Sequence, residues 1–194
     1  MIFEETTQTI IKDNLDNSRK KKLMIIDINC RKKNKHMAFN LENMKDYAYP
    51  LVGAIYEVHS ELGPGLNEYV YQEGLAMQLE EEGIPFEREK ELTIKYHGKL
   101  MNATYRMDFL CAGTIVIECK SVERLTPDHR AQLFNYMRLS RSVIGILANF
   151  APKSAVVERY FLNKETNEIC DTNGNSLIFY RNPKHYLDYN PDDE

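Results

Sequence analysis

The segment Ile115 to Lys120 reads Ile-Val-Ile-Glu-Cys-Lys, an apolar run typical of a buried strand that ends in an acid and a lysine two positions apart. Side chains two apart on a strand share a face, so Glu118 and Lys120 point the same way and Cys119 points opposite. A chain that buries this strand must meet two opposite charges at its end. The alternative is a solvated pair on an edge strand, and E-x-K alone is common enough to mean only that. Its place directly behind a buried run gives it weight.

Asp108 sits late in the preceding strand-like run, Leu100 to Cys111. If the loop between the runs is Ala112 to Thr114, three residues, Asp108 falls opposite Glu118 on the same face; a two-residue loop would turn it away. Two carboxylates on neighbouring strands suit Mg2+ or Mn2+, hard cations that prefer oxygen ligands. Such a metal polarises a phosphoryl oxygen and acidifies water, while a lysine steadies developing negative charge.

Before these strands, Tyr47, Leu51, Ile55, Val58 and Leu62 recur at the spacing of an amphipathic helix, with Pro50 expected in its first turn. Gly63-Pro64-Gly65 breaks it, and Asn67 caps a second helix that reaches about Glu82 and ends at Gly83. At about 100° per residue Glu68 falls on the stripe of Tyr71, Leu75 and Leu79, which aims it inward; an acid in a first helical turn also simply complements the helix dipole. Strands follow at Leu92 to Tyr96, Leu100 to Cys111 and Ile115 to Lys120, an antiparallel meander. Thr126-Pro127 opens a third helix that runs to about Ser140, and Val143 to Ala148 forms another buried strand. A further helix is expected near Ser154 to Phe161, and a small strand at Ser176 to Arg181. On the third helix Gln132 and Tyr136 share a face. They either orient water and Lys120 or form a solvated polar pair. Arg130, about 200° from Gln132, and Arg138 are expected in solvent or at the phosphate rim, and His129 is a lesser candidate for touching substrate.

The 194 residues suffice for one domain with extensions. Residues 1–43 form a polar, partly basic extension of net +3, with a possible added strand at Leu23 to Ile28 and Met37 as a candidate start. Residues 44–162 form the domain, net −3, and residues 163–194 a polar acidic extension, net −4. An acidic domain is not a strong electrostatic binder of nucleic acid, so any polymer it cuts is held weakly. Cys30, Cys111, Cys119 and Cys170 lack zinc-type spacing and are expected as reduced thiols. No apolar run approaches the roughly 18 residues of a membrane span, and a cytoplasmic protein is expected.

Residues 51 to about 150 resemble the GxxExxY proteins, a family placed in the PD-(D/E)XK nuclease superfamily. The motif stands as Gly65-Leu66-Asn67-Glu68-Tyr69-Val70-Tyr71, preceded by Glu57-Val58-His59 and Leu62-Gly63-Pro64. Tyr105-Arg106-Met107-Asp108, Glu118-Cys119-Lys120, Ala131-Gln132-Leu133-Phe134-Asn135-Tyr136 and Asn149-Phe150 match the family's further motifs in order. The resemblance implies an α/β (α+β) restriction-endonuclease-like core, α-β-β-β-α-β, with a central mixed sheet flanked by helices. It implies Glu68, Asp108 and Glu118 as metal ligands, Lys120 as the catalytic lysine, and Gln132 with Tyr136 as the Q-x-x-x-Y element of some exonucleases. The expected activity is metal-dependent hydrolysis of DNA, less favourably RNA. Two rivals stay open: a nuclease-fold binding or scaffold module acting with a partner protein in defence or repair, and a phosphatase-like activity on nucleotides; a partner protein or a homodimer is compatible with each.

Overall fold

In the computed structural model, residues 41–179 are described; the basic extension, Cys30, Met37 and the acidic C-terminal end lie outside them. Helix α1 (Leu41–Leu62) is followed by α2 (Glu68–Glu81), β1 (Phe86–Tyr96), β2 (Lys99–Cys111), β3 (Ile115–Lys120), α3 (Pro127–Ser140), β4 (Ile144–Asn149), β5 (Val156–Asn163), β6 (Glu168–Cys170) and β7 (Ser176–Phe179). The strands form one mixed sheet of seven, ordered as in the sequence. Neighbours are antiparallel except β3 and β4, which run parallel and are joined through α3.

Every residue of β3 and β4 is buried, as expected of central strands covered on both faces. Alternation along them divides the core. Ile115, Ile117, Cys119, Ile144, Ile146 and Ala148 pack with α1 and α2. Val116 and Leu147 pack with Leu133, Phe134 and Met137 of α3. Glu118 and Lys120, in step with Val116, therefore belong to the α3 side of the sheet.

The corner between α1 and α2 rests on three features of its sequence. Gly63 and Gly65 adopt the left-handed conformation (φ +69° and +97°) that other residues rarely enter. The Tyr71 hydroxyl donates to the Gly63 carbonyl at 2.6 Å and accepts from the Leu66 N–H at 3.1 Å, tying the turn to the helix it opens. The Asn67 side chain accepts from the Val70 N–H at 3.1 Å as the N-cap.

Two sequence expectations are corrected. Pro50 lies inside α1 rather than in its first turn, because the helix begins at Leu41. The buried stripe continues towards the N-terminus through Ala48 and Met44, and packing of that added face offsets the hydrogen bond proline cannot make. The helix expected near Ser154 to Phe161 is instead β5, paired with β4 from Val156↔Asn149 to Phe161↔Ile144. Val156 and Val157 favour a strand, and the free edge of β4 supplies partners that no helix could use. Of the cysteines, Cys111, Cys119 and Cys170 are free and buried. Among the described residues no helix is long and apolar enough to cross a membrane.

Candidate active site

The hairpin between β2 and β3 turns through Ala112 to Thr114, with Cys111↔Ile115, Leu110↔Val116 and Phe109↔Ile117 in register. One further step brings Asp108 level with Glu118, as the three-residue loop requires. Backbone pairing stops there, and the Asp108 carboxylate takes over, accepting from the Cys119 N–H at 2.8 Å. The Gln72 side chain, on α2 one turn from Glu68, also hydrogen-bonds Asp108. Burial raises the Asp108 pKa, while these donors and the Lys120 ammonium oppose the rise.

Glu118 is 1% exposed, and its Oε1 accepts from the Lys120 ammonium at 2.6 Å. Its other oxygen, Oε2, is buried with no partner. Burial, then the neighbouring Asp108 charge, push the Glu118 pKa up to about 8 against the pull of Lys120. Burial disfavours the charge of Lys120, but Glu118, with Glu68 and Asp108 behind it, outweighs that and holds the ammonium protonated. Glu68 approaches Lys120 to 3.9 Å from the first turn of α2. The Glu68 side chain is 38% exposed, so it lies at the rim rather than in the interior that its helical position foretold.

From the opposite side, Gln132 donates through Nε2 to the Tyr136 hydroxyl at 2.9 Å. Tyr136 is largely buried; burial raises its phenol pKa, and Glu118 and Asp108 add to that, which puts the ring in the field of the carboxylates. The fold thus gathers Glu68, Asp108, Glu118 and Lys120, with Tyr136 and Gln132 alongside. Arg130 stands apart, in a two-pronged ion pair with Glu158 of β5 (2.8 and 2.6 Å). Arg138 donates to Asn135, and the His129 ring accepts the Thr126 N–H at 3.1 Å, capping α3.

Three residues missed as functional candidates support this geometry. Gln72, buried beside Asp108, is four residues after Glu68, a spacing that signals a shared helical face. Asn149, 1% exposed, accepts from the Val122 N–H at 3.0 Å and donates to the Val122 carbonyl at 2.8 Å, pinning the chain just beyond Lys120. Ser121 donates to the Leu66 carbonyl at 2.7 Å, joining the end of β3 to the corner that carries Glu68. Only the Asn149-Phe150 pair left a trace in the sequence reading.

The carboxylates gather around the Lys120 ammonium; among the described residues no three His, Cys, Asp or Glu side chains close into a preformed cage. The set nevertheless consists of hard oxygen donors, and the orphaned Glu118 Oε2 is a buried acceptor that lacks a cation or donor. These residues fit a divalent cation of the Mg2+ or Mn2+ class.

The sheet with its parallel β3–α3–β4 unit, and the acid-acid-lysine cluster where β2 parts from β3, define the class. Residues 45–160 match the model of the PD-(D/E)XK nuclease superfamily, and the chain belongs to that superfamily. Its nucleases act on nucleic acid and generally use divalent metals. No curated protein matches the chain. Among solved structures it is similar to the one described as "Crystal structure of SSO0001", at 19% identity over 75% of this chain and 77% of that one, with a TM-score of 0.39.

Proposed function

We propose that this chain is a GxxExxY-type nuclease that hydrolyses phosphodiester bonds of DNA with Mg2+ or Mn2+, RNA being the less favoured substrate. One observation carries the reading: Glu118, buried at the end of β3 with Oε2 unpartnered, between Lys120 and Asp108. Keeping such a group out of water is costly unless a cation meets it.

Glu68, Asp108 and Glu118 would hold the metal, which when bound polarises a phosphoryl oxygen and lowers the pKa of water. Lys120, fixed by Glu118 and faced by Glu68, donates to negative charge developing on the phosphate. Gln132 spends its amide nitrogen on Tyr136, which leaves the amide oxygen to accept from water and the phenol hydrogen to donate. Asp108 is held in place by the Cys119 N–H and Gln72, so it need not reorganise during reaction. Residues 44–162 act as the catalytic unit in this reading, with β6 and β7 extending its sheet, and the protein works in the cytoplasm. The net acidic charge fits weak, transient binding of polymer.

The test is incubation of the purified protein with labelled single- and double-stranded DNA in Mg2+, Mn2+ or EDTA. Cleavage is expected only with metal. Glu118→Ala and Lys120→Ala should each slow it by about 100-fold or more while keeping the native circular dichroism spectrum. A Lys120→Ala protein that cuts at the normal rate would refute the reading.

A further inference from the structure

The β1–β2 hairpin is longer than the sheet needs. Only Phe86 to Arg88 of β1 pair with the portion of β2 that also pairs β3, Phe109 to Cys111. Beyond them the two strands run on as a ribbon whose β2 residues Lys99 to Arg106 are all exposed. From Asp108 to the tip at Gly98 the ribbon reaches roughly 30 Å, at about 3.3 Å per residue.

Its composition differs from that of the domain that carries it. Residues 89–107 hold Lys90, Lys95, Lys99 and Arg106 against Glu89 and Glu91, a net +2 with Arg106 ion-paired to Glu91 at 3.4 Å, whereas residues 44–162 as a whole carry −3; the outer part, residues 92–104, has Lys95, Lys99 and His97 and no acid. Its large side chains are also uncovered: Tyr96 is 63% exposed, Leu100 64%, Met101 42% and Tyr105 39%. Pairing fixes their placement. Tyr105 lies across from Leu92, which packs against the α3 side of the core, and the Tyr105 ring meets Tyr136 edge-on at 6.1 Å. Tyr96 is on the same face of β1 as Leu92, four residues further out. Between them β2 makes an irregularity, with Met101 to Ala103 opposite Ile94. One face of the ribbon is therefore an aromatic and apolar track that begins at Tyr136, beside Glu118, and leads outwards to Tyr96, with Lys99 paired across from Tyr96 at its far end.

We infer that this ribbon binds an unpaired strand of the nucleic acid substrate, its bases stacked on Tyr105 and Tyr96 and its backbone met by Lys99 across from Tyr96. Alternating aromatic faces and cations are the means by which proteins hold single strands without reading sequence. The local positive charge offers a polyanion a route into a site whose surroundings repel it. The inference rests on the nuclease reading for its substrate, but its test does not need cleavage.

The experiment measures binding of a fluorescein-labelled 20-nucleotide single strand and of the corresponding duplex by anisotropy in EDTA, with hydrolysis of bis(p-nitrophenyl) phosphate, too small to reach the ribbon, followed separately with Mn2+. The variant is Tyr96→Ala/Lys99→Gln, both exposed positions, with its fold checked by thermal melting. Single-strand affinity is expected to fall about tenfold or more, and the slope of log affinity against log salt to drop by about 0.7, with the small diester hydrolysed as in wild type. Unchanged single-strand affinity in the variant, or tighter binding of the duplex by the wild type, overturns the inference. Failure of the wild type to hydrolyse any diester counts against the nuclease reading alone, since the binding arm still decides the role of the ribbon.

Discussion

At the scale of single residues, Glu118 sets function against stability. Its pKa, near 4.5 in an unfolded chain, rises to about 8 when burial and Asp108 surround it. Between those values the folded chain binds more protons than the unfolded one, so stability falls as pH rises through the window and is greatest below it. Glu118→Gln removes the titration. In EDTA at pH 8 the variant should unfold at higher denaturant than wild type, by roughly 1–3 kcal/mol, and its stability should vary less between pH 5 and 8. The gain stays below the full linkage value of about 1.4 kcal/mol per pH unit because the change also weakens the Lys120 ion pair. Urea midpoints across that range would check both statements; an equal pH slope in the two proteins would show that Glu118 is not the strained group. The same substitution should end cleavage.

At the scale of elements, the site depends on how tightly α3 lies on β4. A side chain built at Gly145 would come within 2.3 Å of the Met137 sulfur and 3.2 Å of Leu133, both fully buried. Gly145→Val is therefore expected to destabilise the fold by about 1–3 kcal/mol through overpacking, and to lower activity by lifting Gln132 and Tyr136 from the carboxylates. Chemical denaturation with a parallel rate measurement checks this; full stability in the variant would mean that the α3–β4 contact can yield. The motif Gly65, Glu68, Tyr71 acts at the same scale. The glycine permits the turn, the tyrosine ties it, and the acid projects from the helix that the turn aims.

For the whole molecule, the prediction concerns metal and stability together. A cation that binds only the folded site stabilises it by mass action, about 2.7 kcal/mol at a hundredfold excess over Kd. For a chain of this size that corresponds to a rise in melting temperature of roughly 5–10 °C. Differential scanning fluorimetry with Mn2+ should show the rise in wild type and its loss in Asp108→Asn. Equal shifts in both would assign the cation to some other site, such as the acidic segments near the C-terminus.

The sequence alone determined what depends on local chemistry. Periodicity marked α1, the glycine corner and the caps at Asn67 and Thr126 marked α2 and α3, and the alternation of β3 set Glu118 and Lys120 on one face; the sequence left two loop lengths open, and the structure has the three-residue turn that brings Asp108 level with Glu118. Only the tertiary structure decided what depends on neighbours. The run at Val156 is a strand because β4 offers an edge, and Pro50 sits within α1 because the packed face extends past it. Gln72 and Asn149 hold the site through bonds to residues 36 and 27 positions away; the Glu68–Gln72 spacing and the Asn149-Phe150 pair mark the positions but not these partners. Such contacts depend on chain segments brought together by burial of the whole core, and local sequence carries no record of them.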